Sequence, residues 1–310
     1  MSNFAMIFPG QGSQSIGMLT DLAREFAVVK ETFAESSNIL EYDLWNLVQN
    51  GSKEELNITW KTQPALLSAS VAIFRVWLEK KGKMPKFMAG HSLGEYSALV
   101  CADVISFKSA IKLVELRGKL MQESVPIGSG AMYAIIGLDN KSVLKLCQQA
   151  EHGQVVSISN FNSPYQVVIS GEKMAVERAV ALCKIAGAKR TLKLSVSVPS
   201  HCVLMRSAAK KLEEELKKIV FNKPNIFIVN NVTVKIENSV DGIRNALIKQ
   251  LYKPVRWVET IEFIAKQGVS QLLEIGPGNV LTGLNKRIVN TISSASINDI
   301  SSLNAALINN

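Results

Sequence analysis

The chain has 310 residues, 47% apolar and 20% charged, enough apolar material for a sizeable core and too much for a disordered chain. Lys and Arg outnumber Asp and Glu by 35 to 26, and the resulting +9 charge attracts polyanions or acidic partners; no zinc-finger or RNP-type signature and no basic run interleaved with aromatics accompanies it, so nucleic acid is not expected as the target. The four cysteines (Cys101, Cys147, Cys183, Cys202) share no C-x-x-C spacing, which disfavours a zinc site and a disulfide framework and fits a reducing compartment.

The amino terminus, MSNFAMIFPG, lacks a basic segment and its apolar run stops at Pro9, so no signal peptide is expected. Residues 5–8 read as a buried strand that meets a tight loop at Pro9-Gly10-Gln11-Gly12. Residues 64–81 have helical spacing and stop at Gly82. A short strand over 87–89 runs into Gly90-His91-Ser92-Leu93-Gly94, a helix over 93–101 follows, and Ser106 caps another that ends near 123. Strand, glycine-bounded turn and helix in succession predict an α/β protein with a parallel sheet.

From Pro126 the texture changes. A Gly/Ser linker over 126–130 leads to a strand (132–138) and a helix (140–150). Two strands (155–159 and 166–170) flank Asn162-Ser163-Pro164, and a helix (172–186) and a strand (189–195) complete the run. The long uncharged stretch 155–171 is broken by Asn, Ser, Pro and Gln, so no membrane span is expected and the protein reads as cytoplasmic. The order βαββαβ predicts a ferredoxin-like unit inserted in a larger one, 126–198 within 1–125 and 199–310. After Pro199 come a charged helix (207–219), a strand (226–229), helices (242–251 and 258–266), a strand (271–275) and a helix (279–289); residues 293–310 are weakly patterned.

Gly90-His91-Ser92-Leu93-Gly94 matches the G-x-S-x-G nucleophile elbow. A sharp strand-to-helix turn there strains the serine backbone, and glycines two residues to either side avoid clashes. The hydroxyl then projects from the turn while the Leu93 N–H faces a developing oxyanion. The bare pattern is common as a mere turn; the flanking strand and helix are what favour a nucleophile. A serine needs a base, and there are three histidines. His91 adjoins Ser92, so its side chain should diverge, and His152 falls in a loop of the insert. His201, where the chain returns to the large unit, is well placed to face a cleft.

No convincing triad acid emerges. Asp103 falls in a helix connection and Asp139 at a helix start, where capping explains it. A backbone carbonyl could orient the histidine instead. Arg117 falls on the apolar stripe of Ala110, Leu113, Val114, Leu120 and Met121. Either its stem snorkels to solvent, or it faces inward and needs an anion, which could be a substrate carboxylate. Gln11, flanked by glycines at a strand end, could supply a second oxyanion amide. Pro9-Gly10-Gln11-Gly12-Ser13-Gln14 lacks the ending of a phosphate-binding loop.

Together with Gln63-Pro64-Ala65, Glu95-Tyr96, Arg117-Gly118, Asn160-Phe161-Asn162-Ser163-Pro164, Val198-Pro199-Ser200-His201, Asn230-Asn231-Val232, Gln250-Leu251-Tyr252 and Glu274-Ile275-Gly276-Pro277-Gly278, these segments run in order along the whole chain. They resemble the malonyl-CoA:acyl carrier protein transacylase family of bacterial-type fatty acid synthesis. The resemblance implies an α/β-hydrolase-like large subdomain and a ferredoxin-like small one. It implies Ser92 as the acylated nucleophile, His201 as base and acid, and the Gln11 and Leu93 amides as oxyanion hole. It further implies Arg117 as the malonate-binding residue and the Gln250 main-chain carbonyl as the partner of the histidine. Malonyl-CoA and acyl carrier protein are the implied substrates, with no metal or redox cofactor and a monomeric chain. Ser200 before His201 and the overall match favour malonyl over methylmalonyl. Carrier proteins are acidic, so part of the positive charge is expected to serve docking.

Overall fold

The computed structural model describes residues 3–194 and 198–310. In chain order its strands are Phe4–Phe8 (β1), Phe87–Gly90 (β2), Gly130–Ile136 (β3), Val156–Ser163 (β4), Gln166–Glu172 (β5), Arg190–Lys193 (β6), Phe227–Val229 (β7), Gln271–Ile275 (β8) and Ser293–Ile297 (β9). All five residues of β1 are apolar and buried, as in a strand covered on both faces. It forms the centre of a parallel sheet in the order β7-β2-β1-β8-β9. Phe4, Met6 and Phe8 join a core built with helices Thr59–Glu79 and Phe107–Glu123. Ala5 and Ile7, on the other face, pack with helices Trp257–Lys266 and Val280–Asn285.

β3 to β6 form a separate antiparallel sheet in the order β4-β5-β3-β6. One face packs on helices Asn140–Ala150 and Lys173–Ile185 through Ile135, Val143, Val167, Ile169, Val176 and Cys183. The other face carries Met132, Ala134 and Val168 and turns toward the parallel sheet. Entry and exit of this unit touch: a Cβ on Gly130 would lie 2.5 Å from Pro199 Cδ. β4 is tied to the larger unit by Phe161 N–H to the Val255 carbonyl and Val255 N–H to the Ser159 carbonyl, both 2.9 Å.

The helix expected over 64–81 begins earlier, at Thr59, so Pro64 lies inside it. The proline forfeits one bond in the ladder, and burial of nearly every side chain from Thr62 to Trp77 outweighs that loss. Residues 293–310, weakly patterned in sequence, form β9 and helix Ile300–Asn309, started by an Asp299/Ser302 capping box. Four helices within residues 20–56, a stretch for which the sequence predicts no element, pack onto the core through Leu22, Val29, Phe33, Leu44 and Leu56. The strand expected over 189–195 is seen as β6, while Ser195 lies outside the described residues.

Candidate active site

The site is assembled where parallel strands end. β1 runs into Pro9–Gly12, β2 into His91-Ser92, and β7 into Asn230-Asn231, so three carboxyl ends meet. Ser92 has φ 52°, in the left-handed region that a side chain tolerates only under constraint. The flanking glycines are sterically required: a Cβ on Gly90 would lie 1.9 Å from the Gly94 carbonyl carbon, and one on Gly94 2.0 Å from the Phe8 oxygen. Asn231 clamps the turn, accepting from Ser92 N–H at 2.7 Å and donating through Nδ2 to the Gly90 carbonyl at 2.6 Å.

Ser92 Oγ lies 2.8 Å from His201 Nε2, and His201 Nδ1 lies 2.6 Å from the Gln250 carbonyl oxygen. A carbonyl only accepts, so the ring proton of the neutral imidazole is on Nδ1, and Nε2 is left to accept from the serine hydroxyl. Burial, reinforced by the Arg117 cation, pushes His201 down to about 3. The imidazole is therefore neutral at physiological pH.

Arg117 faces inward, 1% exposed. Its Nη1 donates to Gln63 Oε1 at 2.7 Å; its Nη2 donates to Gln250 Oε1 at 3.1 Å and to Ser92 Oγ at 3.3 Å. The guanidinium lies 5.3 Å from the Tyr96 ring centroid. Its Nε has no hydrogen-bond partner, and it makes no ion pair, among the described residues. A buried cation met only by neutral oxygens and an aromatic face is an incomplete arrangement, and an incoming carboxylate would complete it.

Residues 5–304 match the acyl transferase domain family. The chain is 62% identical over 307 residues to the malonyl CoA-acyl carrier protein transacylase of Escherichia coli strain K12, covering 99% of each chain. It is 42% identical over 308 residues to that of Bacillus subtilis strain 168, covering 99% of this chain and 97% of the other. The chain belongs to the malonyl CoA-acyl carrier protein transacylase family. As a member of this family it is an acyltransferase. Among solved structures it superposes, with TM-score 0.99 and 68% identity over all of both chains, on a chain from the holo complex of a type II PKS acyl-carrier protein with its malonyl-transacylase. An acyl carrier protein S-malonyltransferase from Vibrio cholerae gives TM-score 0.95 at 61% identity, covering 98% of this chain and 99% of that one.

Gln11, Ser92, Leu93, Arg117 and His201 line one cleft of about 250 Å3 between the two sheets. Neither the Gln11 nor the Leu93 backbone N–H donates to another protein group among the described residues. Gln250 lies behind the cleft: besides its carbonyl bond to His201, its Nε2 donates to the Ser92 carbonyl at 3.1 Å and to Glu95 Oε2 at 2.9 Å. His91 turns away from Ser92 toward Asn162, 2.9 Å from its Oδ1, and packs edge-on against Trp257. His152 is exposed, and Asp139 caps its helix by accepting from Ser142 N–H at 3.0 Å.

Sequence reasoning assigns no role to Asn231, Gln63 or Glu95. The signal for Asn231 is a pair of asparagines directly after an apolar strand. Gln63 and Glu95 fall in segments that carry the family resemblance, but no local pattern gives them a role, because their contacts to Arg117 and Gln250 span 54 and 155 positions. No helix among the described residues is long and apolar enough to cross a membrane, and no group of three His, Cys, Asp or Glu there could hold a metal ion.

Proposed function

We propose that this chain transfers the malonyl group of malonyl-CoA to the phosphopantetheine thiol of acyl carrier protein, through a malonyl-Ser92 intermediate, and so supplies malonyl units for fatty acid synthesis. The observation that carries this reading is Arg117, a buried cation without an ion-pair partner among the described residues, with Nη2 3.3 Å from the nucleophile oxygen. A malonyl group has a carboxylate that would meet this cation while its thioester carbonyl lies at Ser92. An apolar acyl group leaves the cation uncompensated. A bound carboxylate also offsets the charge that helps depress His201, so a malonyl substrate strengthens the base that activates its own attack.

In the first half-reaction the Ser92 hydroxyl proton passes to His201 Nε2 as Oγ bonds the thioester carbon. The oxyanion meets the Gln11 and Leu93 amides, each worth roughly 3 kcal/mol in comparable sites. The carbon–sulfur bond breaks, and the CoA sulfur takes the proton from His201. In the second half, the pantetheine thiol gives its proton to His201 and attacks the malonyl ester, and Ser92 Oγ leaves and recovers the proton. The Gln250 carbonyl fixes the tautomer throughout, with less stabilisation of imidazolium than a carboxylate provides. The order is ping-pong, and no metal or redox cofactor enters it.

The strand order β4-β5-β3-β6 with two helices on one face supports a ferredoxin-like module over 126–198, and the parallel sheet supports an α/β-hydrolase-like unit over 1–125 and 199–310. We take the enzyme to act as a cytoplasmic monomer. Arg117→Ala tests the reading: Ser92 acylation by malonyl-CoA should fall about a hundredfold or more, the scale of losing one partner of a buried ion pair. Acylation by acetyl-CoA should stay within a few-fold of wild type. Equal losses on the two donors would overturn the role of Arg117.

A further inference from the structure

Glu95 takes no part in the steps above, yet it lies 3% exposed in the first turn of the helix that follows the nucleophile. Both of its hydrogen bonds fall on Oε2, from the Asn231 backbone N–H at 3.0 Å and from Gln250 Nε2 at 2.9 Å. The second donor belongs to the amide whose Oε1 accepts from Arg117 Nη2. A single side-chain amide therefore links a buried carboxyl to the buried guanidinium.

Glu95 also lines a separate cavity of about 10 Å3 with Asn230 and Glu237, roughly the space of one water. Glu237, which lines this cavity, is only partly buried, and the cavity shares no lining residue with the substrate cleft. The charged and titratable groups that face Glu95 are Arg117 on helix Phe107–Glu123, Glu237 on the chain after β7, and Tyr96 on its own helix. Burial and Glu237 favour the neutral acid, Arg117 and the two N–H donors favour the anion, and the balance lifts Glu95 to about 7. A malonyl carboxylate upsets that balance, because two anions then share one cation away from water.

We propose that Glu95 is a positioning residue that orients the Gln250 amide and takes up one proton from solvent, on Oε1 by way of the Glu237 cavity, when a malonyl carboxylate occupies Arg117. The proposal rests on the malonyl reading above. Its consequence is a pH dependence above pH 7, where a simple cation–anion contact at Arg117 has none because guanidinium and carboxylate are both fully ionised. Malonyl-CoA affinity falls as pH rises above 7, by up to tenfold per pH unit once free Glu95 is ionised. Glu95→Gln keeps an oxygen for both donors and removes the charge, so its affinity becomes flat with pH and exceeds that of wild type at pH 9.

Isothermal titration calorimetry at pH 8, in phosphate and in Tris, measures the proton directly. With Ser92→Ala, malonyl-CoA binding should take up close to one proton, and acetyl-CoA binding none. The Ser92→Ala/Glu95→Gln double variant should take up none. Malonyl-CoA binding with the same heat in both buffers would overturn the role of Glu95 and leave the malonyl reading standing; failure of malonyl-CoA to bind Ser92→Ala would overturn both. If the double variant does not fold, the wild-type KM for malonyl-CoA decides: a rise between pH 7 and 9 is expected, and a flat profile contradicts the proposal.

Discussion

His201 and Asn231 act on Ser92 from opposite sides, one on its oxygen and one on its backbone nitrogen. With burial and Arg117 pushing it down to about 3, the His201 imidazole of the ligand-free fold is neutral at mildly acid pH, whereas in the unfolded chain it protonates near 6.5. Its contribution to stability is thus complete above about pH 6.5 and is lost as pH falls from there toward 3. In kinetics the same depression removes the usual histidine limb: Ser92 acylation by acetyl-CoA should not decline with His201 protonation between pH 7 and 5. In Arg117→Ala the depressing cation is gone, so that limb should move upward in pH, and an unmoved limb would contradict the electrostatic link. Asn231→Ala strips the clamp without touching the charge. It should slow malonyl and acetyl acylation equally, by about tenfold, the effect of roughly 1–3 kcal/mol for an unsatisfied buried group. Unequal losses in single-turnover acylation would assign Asn231 a part in acyl selection.

The strand–turn–helix elbow makes its demands in backbone space. A methyl group on Gly94 would lie 2.0 Å from the Phe8 oxygen, so Gly94→Ala has to push the helix away from the end of β1. Overpacking of that kind costs about 1–3 kcal/mol. Urea unfolding should register the loss, and phosphonate labelling of Ser92 should slow; an unchanged midpoint would mean the elbow is looser than the contacts imply. This element was legible in sequence because every requirement is local: an apolar run, two glycines at fixed spacing, a helical stripe. The βαββαβ run was legible for the same reason, and helix Asn140–Ala150 begins and ends where its Asp139 cap and following residues predicted. β9 was not, since Ser293–Ile297 is Ser-rich, and its strand character comes from pairing with β8 rather than from alternation within itself. Pro64 misled for a related reason, as its local preference for a helix start yields to the buried packing around it. At the site, Arg117 and His201 could be read from a stripe and a junction, while the bonds through Gln63, Glu95 and Asn231 depend on distant segments that only the folded chain brings together.

Across the whole molecule, 35 basic residues against 26 acidic ones leave a field that favours an acidic partner. Raising salt from about 50 to 300 mM should therefore raise the KM for acyl carrier protein several-fold, as screening shortens the reach of surface charge. A KM insensitive to salt would separate the net charge from docking. The two sheets together enclose one cleft lined by Ser92, His201 and the buried Arg117, and the proposed function requires a covalent malonyl-serine to form there. Intact-protein mass spectrometry after brief mixing with malonyl-CoA tests it most directly. Wild type should gain one malonyl-sized adduct, Ser92→Ala should gain none, and acyl carrier protein bearing its pantetheine thiol should discharge the adduct. No adduct on wild type with malonyl-CoA left intact, or release of free malonate without an adduct, would contradict transfer through Ser92.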